Sequence, residues 1–169
     1  MQKYRNVKAR ITLASLVLGS ALLCGCGKNS ALKSYLNGME AFKQGHYPVA
    51  RKNLERALRD RPDLPEDAPA YNFLGLAAER SGDLAAAKVA FEKSHALDEN
   101  YYEACYNLGA LRCKEGDMED GPRLLMRAAG LNKKDARPLE LLAHHYQENG
   151  QVNEARSMLQ VARQRAPRL

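Results

Sequence analysis

Tryptophan is absent from the 169 residues, phenylalanine occurs three times, and aromatic residues make up only 7%. Mean hydropathy is −0.52. A chain this short of bulky apolar material suits a helix-rich body in water better than a membrane-spanning bundle. It contains no glycine-rich phosphate loop and no cysteine/histidine set with zinc spacing, so nucleotide and structural-zinc chemistry lack their usual ligands. His144 and His145 are adjacent; on a helix they diverge by about 100° and cannot share one metal ion. Cys105 and Cys113 lie about 12 Å apart on one expected helix and cannot bridge each other. Cys113 is expected to neighbour His144 across a unit boundary, but no third group completes a Cys/His catalytic set. The reading is therefore of a protein that is not an enzyme, with no cofactor, no metal and no small-molecule substrate.

Lysine and arginine outnumber aspartate and glutamate by 26 to 20. Four of the cations, Lys3, Arg5, Lys8 and Arg10, precede the first apolar run, and residues 1–25 hold no acid. The remaining charges nearly balance, so the basicity belongs to the leader and nucleic acid is not an expected partner. The run itself, Ile11 to Leu23, is uncharged. Its thirteen residues would rise about 20 Å as a helix, short of the roughly 30 Å hydrocarbon core. Basic and then briefly apolar, residues 1–25 read as an export signal; an uncleaved anchor helix over 11–27 is the other reading. Leu23-Cys24-Gly25-Cys26 resembles a bacterial lipobox, with leucine at −3, a small residue at −1 and Cys26 as the lipidated residue. Cys24 at −2 departs from the usual alanine or serine. The resemblance implies a lipid-anchored protein, and Gly27 in place of an inner-membrane retention aspartate implies the outer membrane, facing the periplasm. Residues 26–30 form the lipidated cysteine and a short tether.

The rest of the chain repeats itself. LKSYLNGMEAFKQG, PAYNFLGLAAERSG, EACYNLGALRCKEG and RPLELLAHHYQENG end at Gly45, Gly82, Gly116 and Gly150, at intervals of 37, 34 and 34 residues. Five residues after each comes a small residue: Ala50, Ala87, Gly121 and Ala155. Leu54, Phe91, Leu125 and Leu159 follow, and then Ala57, Ser94, Ala128 and Ala162. Cys105, Leu108, Gly109 and Arg112 share one helix face. Gly75 and Gly109 are expected where a partner helix comes close. Each terminal glycine is expected to stop the first helix in a left-handed conformation, with Asp83 and Asp117 capping the next. Pro122 should delay or kink its helix. In the last helix, Ala155, Met158, Leu159 and Ala162 are expected inward, with Arg156, Ser157, Gln160, Arg163 and Gln164 outward.

This pattern resembles the tetratricopeptide-repeat family, most fully in Tyr71, Leu74, Gly75, Ala78, Ala87 and Phe91. The resemblance implies an all-α fold, an α-α superhelix of four helical hairpins at 31–64, 68–101, 102–135 and 136–169, following an N-terminal signal helix. It places the partner-binding groove on the first helix of each hairpin. The residues so placed are Tyr35, Met39, Phe42 and Lys43; Asn72, Leu76, Glu79 and Arg80; Glu103, Tyr106, Cys113 and Lys114; and Arg137, Glu140, His144, Gln147 and Glu148. Asn72 and Asn107 match part of the family's carboxylate clamp, but its basic members are missing. The implied role is a membrane-anchored adaptor or assembly factor of the pilus or outer-membrane type, holding a protein or peptide segment of an envelope complex. The alternative is a structural component that associates with itself.

Overall fold

The protein is described from a computed structural model over residues 30–60 and 67–165. The leader, Cys26, the tether up to Asn29 and residues 62–66 of the proline-rich loop lie outside these residues. Eight helices and no strand occur among the described residues. They are α1 (30–43), α2 (Tyr47–Asp60), α3 (Asp67–Arg80), α4 (Leu84–Leu97), α5 (Tyr102–Lys114), α6 (Asp120–Leu131), α7 (Arg137–Glu148) and α8 (Val152–Arg165). The chain divides into two compact units, one holding α1–α2 and the other α3–α8. Among the described residues no helix is long and apolar enough to cross a membrane.

In the first unit, Ala50, Leu54, Ala57 and Leu58 are the buried face of α2, spaced as one side of a helix. Leu54 is fully buried against α1, where a Cβ on Gly38 would come within 2.8 Å of its Cγ.

In the second unit α3 pairs with α4, α5 with α6, and α7 with α8. The first helices also touch one another, α3 with α5 and α5 with α7, so they lie side by side. One core cluster joins Ala78, Ala87 and Phe91 of one hairpin to Leu108, Leu111 and Leu124 of the next. Another joins Cys113 and Leu125 to Leu142. A side chain such as Phe91 or Leu125 contributes about 1.5–3 kcal/mol by leaving water, and here that burial needs the neighbouring hairpin.

Each turn stops the first helix in the same way. Gly45, Gly82, Gly116 and Gly150 have φ of 77°, 83°, 83° and 76°. Around Gly82, Asp83 N–H reaches Ala78 O at 3.0 Å and Gly82 N–H reaches Glu79 O at 2.9 Å. These two bonds satisfy two of the carbonyls that a helix end otherwise leaves open. Asp83 then caps α4, accepting from Ala86 N–H at 3.0 Å.

Two expectations need correcting. Asp117 does not cap α6; Glu119 does, without a side-chain bond. Pro122 explains the shift. Had the helix begun at Asp117, Pro122 would fall where an N–H must bond back along the helix. Beginning at Glu119 puts it in the first turn, where no such bond is made. Asp117 still accepts from the N–H groups of Glu119 and Asp120, both at 2.9 Å. The second correction is Leu159, which is 37% exposed, whereas Leu54, Phe91 and Leu125 at the same place in their hairpins are fully buried. Those three stand opposite Gly38, Gly75 and Gly109, where a Cβ would lie 2.8, 2.5 and 3.0 Å from their side chains. The fourth hairpin has Ala143, not glycine, at that position. Ala155 and Ala162 are buried and Met158 half-buried as expected.

Candidate functional site

In the first unit Tyr35, Met39 and Phe42 are half-buried and Lys43 is exposed. Phe42 sets its ring edge against Tyr47, with centroids 5.5 Å apart, and burial raises the Tyr35 phenol pKa. Part of this apolar cluster is therefore used in holding the hairpin together.

In the second unit the side of α3, α5 and α7 carries two linked features. The first is a fixed set of polar and aromatic groups at the start of α5 and α7. Tyr102 and Tyr106 stack with centroids 6.1 Å apart. The Arg137 guanidinium lies 5.3 Å from the Tyr106 ring centroid, in cation–π range. Arg137 Nη2 also donates to Asp135 at 2.6 Å, and Tyr102 OH donates to the same oxygen at 2.6 Å. The bond from Arg137 holds the Asp135 carboxyl well below the usual range, helped by Tyr102. Burial, then the bond to Asp135, pushes the Tyr102 phenol up. Arg137 is thus a held cation that remains 63% exposed.

The second feature is a cleft of about 330 Å³ between the ends of α3, α5 and α7, lined by Glu79, Cys113, Lys114, Leu141, His144, His145 and Glu148 among others. His144 Nδ1 lies 3.3 Å from Glu148 Oε2. Cys113 is buried, and burial pushes its thiol up to about 12, with Asp117 adding to the shift. It is a neutral floor to the cleft rather than a nucleophile. Cys105 is fully buried and its thiol donates to Glu99 O at 3.3 Å. Both cysteines are free thiols.

The structure thus gathers Glu79, Lys114 and His144 into one cleft and sets Tyr106 under Arg137. Arg80, Glu103, Glu140 and Gln147 are exposed. Leu76 is half-buried and packs on the Phe91 cluster. Asn72 corrects the expectation: it is 1% exposed, and its Oδ1 accepts from Asn107 Nδ2 at 2.8 Å. It ties α3 to α5 instead of meeting a partner. Tyr102 and Asp135, which fix Arg137, belong to this candidate site, and repeat periodicity does not single them out. Asp135 lies outside the helical pattern, and its bond to Tyr102 spans a whole repeat. Elsewhere Arg112 binds Glu92 at 2.9 Å, Asp120 at 3.2 Å and Asp117 at 3.3 Å, fastening α5 to α4, to the start of α6 and to the turn before it.

Antiparallel helix pairs whose first helices line one side define a helical-repeat scaffold, a class that generally serves as a non-catalytic interaction module. The tetratricopeptide-repeat family matches residues 35–101. That match identifies tetratricopeptide repeats within residues 35–101, and the same glycine stops recur in the later hairpins at Gly116 and Gly150. MamA (41-end) from Desulfovibrio magneticus RS-1 is similar at 23% identity and a TM-score of 0.73, over 82% of this chain and 76% of that one. YrrB, described as a repeat protein with an unusual peptide-binding site, is similar at 18% identity and a TM-score of 0.72, over 92% and 82%. The first repeat domain of Spaghetti (RPAP3), bound to an HSP90 peptide, is similar at 22% identity and a TM-score of 0.66, over 73% and 95%. Comparison with curated proteins finds no match.

Proposed function

We propose that this protein is a lipid-anchored adaptor of the bacterial envelope, tethered through Cys26 to the outer membrane, and that it holds a peptide segment of an assembly partner along α3, α5 and α7. The observation that carries the groove is Arg137. Its guanidinium is fixed by Asp135 and stacked on Tyr106, yet its side chain is 63% exposed. An exposed cation already held in place loses little freedom on binding, which favours affinity. Tyrosine and arginine are also the residue types that dominate binding energy in interfaces. Peptide binding by two proteins of similar fold, YrrB and Spaghetti, supports this use of the scaffold. The anchor rests on the leader and on Leu23-Cys24-Gly25-Cys26 alone.

Photo-crosslinking in intact envelopes tests the groove. Benzoylphenylalanine in place of exposed Arg80 or Gln147 should give a discrete adduct. In place of Gln164 on α8 it should not. The adduct should vanish when Tyr106→Ala and Arg137→Ala are added. Equal adducts from all three positions would place the binding face elsewhere, and adducts only at twice the chain's own mass would favour self-assembly. Radioactive palmitate incorporation lost in Cys26→Ser would support the anchor; label that survives the substitution would refute it.

A further inference from the structure

We propose that the outer stripe of α1, Leu32 and Leu36, lies in the headgroup boundary of the bilayer. This inference rests on the lipid anchor proposed above. Leu32 is 51% exposed and Leu36 57%, on one face of the helix. The later hairpins show what the Leu36 position does, while Leu32 stands where they carry exposed Glu103 and Arg137. Leu36 stands two residues before Gly38, as Asn107 stands before Gly109 and Leu141 before Ala143. Asn107 bonds back to Asn72 of the hairpin before it at 2.8 Å. Leu141 packs back against the cluster holding Cys113 and Leu125 of the hairpin before it. At this position α5 and α7 turn towards the hairpin before them.

What precedes α1 in sequence is Cys26-Gly27-Lys28-Asn29. From Cys26 to Ser30 the chain reaches at most about 14 Å. A lipidated Cys26 therefore holds the first turn of α1 beside the headgroups. Lys33, exposed between the two leucines, and Lys28 in the tether supply charges that suit an anionic surface. Leucines sinking about 5–10 Å into the boundary, with lysines at the polar level, are the pattern of an interfacial helix. The surface also adds a second membrane contact to a single anchoring residue.

The chain has no tryptophan, so one substitution supplies its sole indole fluorophore. The full lipidated protein carrying Leu36→Trp, or Lys52→Trp on exposed α2 as control, is placed in phosphatidylethanolamine vesicles containing phosphatidylglycerol, with and without brominated acyl chains. Leu36→Trp emission should shift to the blue and lose about half its intensity to bromine, whereas Lys52→Trp stays unquenched. An unquenched Leu36→Trp in protein that carries palmitate overturns the surface contact and leaves the anchor standing. Protein without palmitate overturns the anchor, and this proposal with it. A blue shift that grows with protein concentration in the absence of vesicles assigns the stripe to a second copy and overturns the membrane contact.

Discussion

Phe91 occupies the space that any side chain at Gly75 would need: a Cβ there would lie 2.5 Å from Cδ1 and from Cε1 of the ring. Phe91 is itself fully buried in the cluster shared with Leu108 and Leu124, so it cannot swing away freely. Gly75→Ala should therefore cost about 1–3 kcal/mol as an overpacked core, read as a lower urea midpoint with an unchanged slope. Adding Phe91→Leu should recover part of the loss. Additive losses in the double variant would show that the two do not compete for one space.

Gly121 makes the same kind of claim in a place where the other hairpins carry alanine. A Cβ there would lie 2.9 Å from the Cys113 backbone nitrogen and 2.7 Å from its sulfur. Backbone cannot yield as a flexible side chain does, so Gly121→Ala should also lose about 1–3 kcal/mol. Restoring the residue that the repeat prefers would then destabilise this chain. Unchanged or raised stability in Gly121→Ala would mean that α5 and α6 stand far enough apart to admit a methyl group.

Cys105 and Cys113 predict a chemical silence. Burial raises both thiol pKa values, Cys113 to about 12, and both side chains are buried. At pH 8 the peptides bearing Cys105 and Cys113 should resist iodoacetamide in the folded protein and alkylate fully in urea, as mass spectrometry would show. The sign of the linkage follows. The folded state keeps its protons more tightly, so this contribution is complete below the unfolded thiol pKa of about 8.5. It is lost as pH rises from there through the folded values. Fast alkylation of Cys113 in the native protein would contradict its place under the cleft.

Asp135 behaves in the opposite sense. Its carboxyl is held low by Arg137 and Tyr102, so the contribution is present above the ordinary carboxylate pKa of about 3.9 and fades as pH falls below it. Asp135→Asn should be less stable than the parent at neutral pH, with the gap narrowing in acid. The same variant should weaken partner capture, because Arg137 would lose its fixed position. A gap independent of pH would show that the Asp135 charge does not hold Arg137 and Tyr102 in place.

The hairpin architecture is plain in the sequence because its causes are local. A glycine must stop each first helix, and small residues such as Gly75, Gly109 and Ala87 must stand where helices approach, so both recur at fixed spacing. Departures arise where a distant contact decides. Asn72 reads as a groove residue until Asn107 reaches across from the next hairpin. Leu159 reads as core until its own exposure is seen. Asp117 reads as a cap until Pro122 moves the helix start. The Tyr102–Asp135–Arg137 set is invisible to periodicity because it joins a helix to a loop 33 residues away.

At Gly82, with φ of 83°, nothing lies within 4 Å of where a Cβ would sit. The position objects to handedness alone, not to bulk. A mirror-image alanine inserted there by chemical synthesis would adopt the required angle without strain. It would also narrow the conformations open to the unfolded chain, raising stability by about 0.4–1 kcal/mol where ordinary L-alanine lowers it.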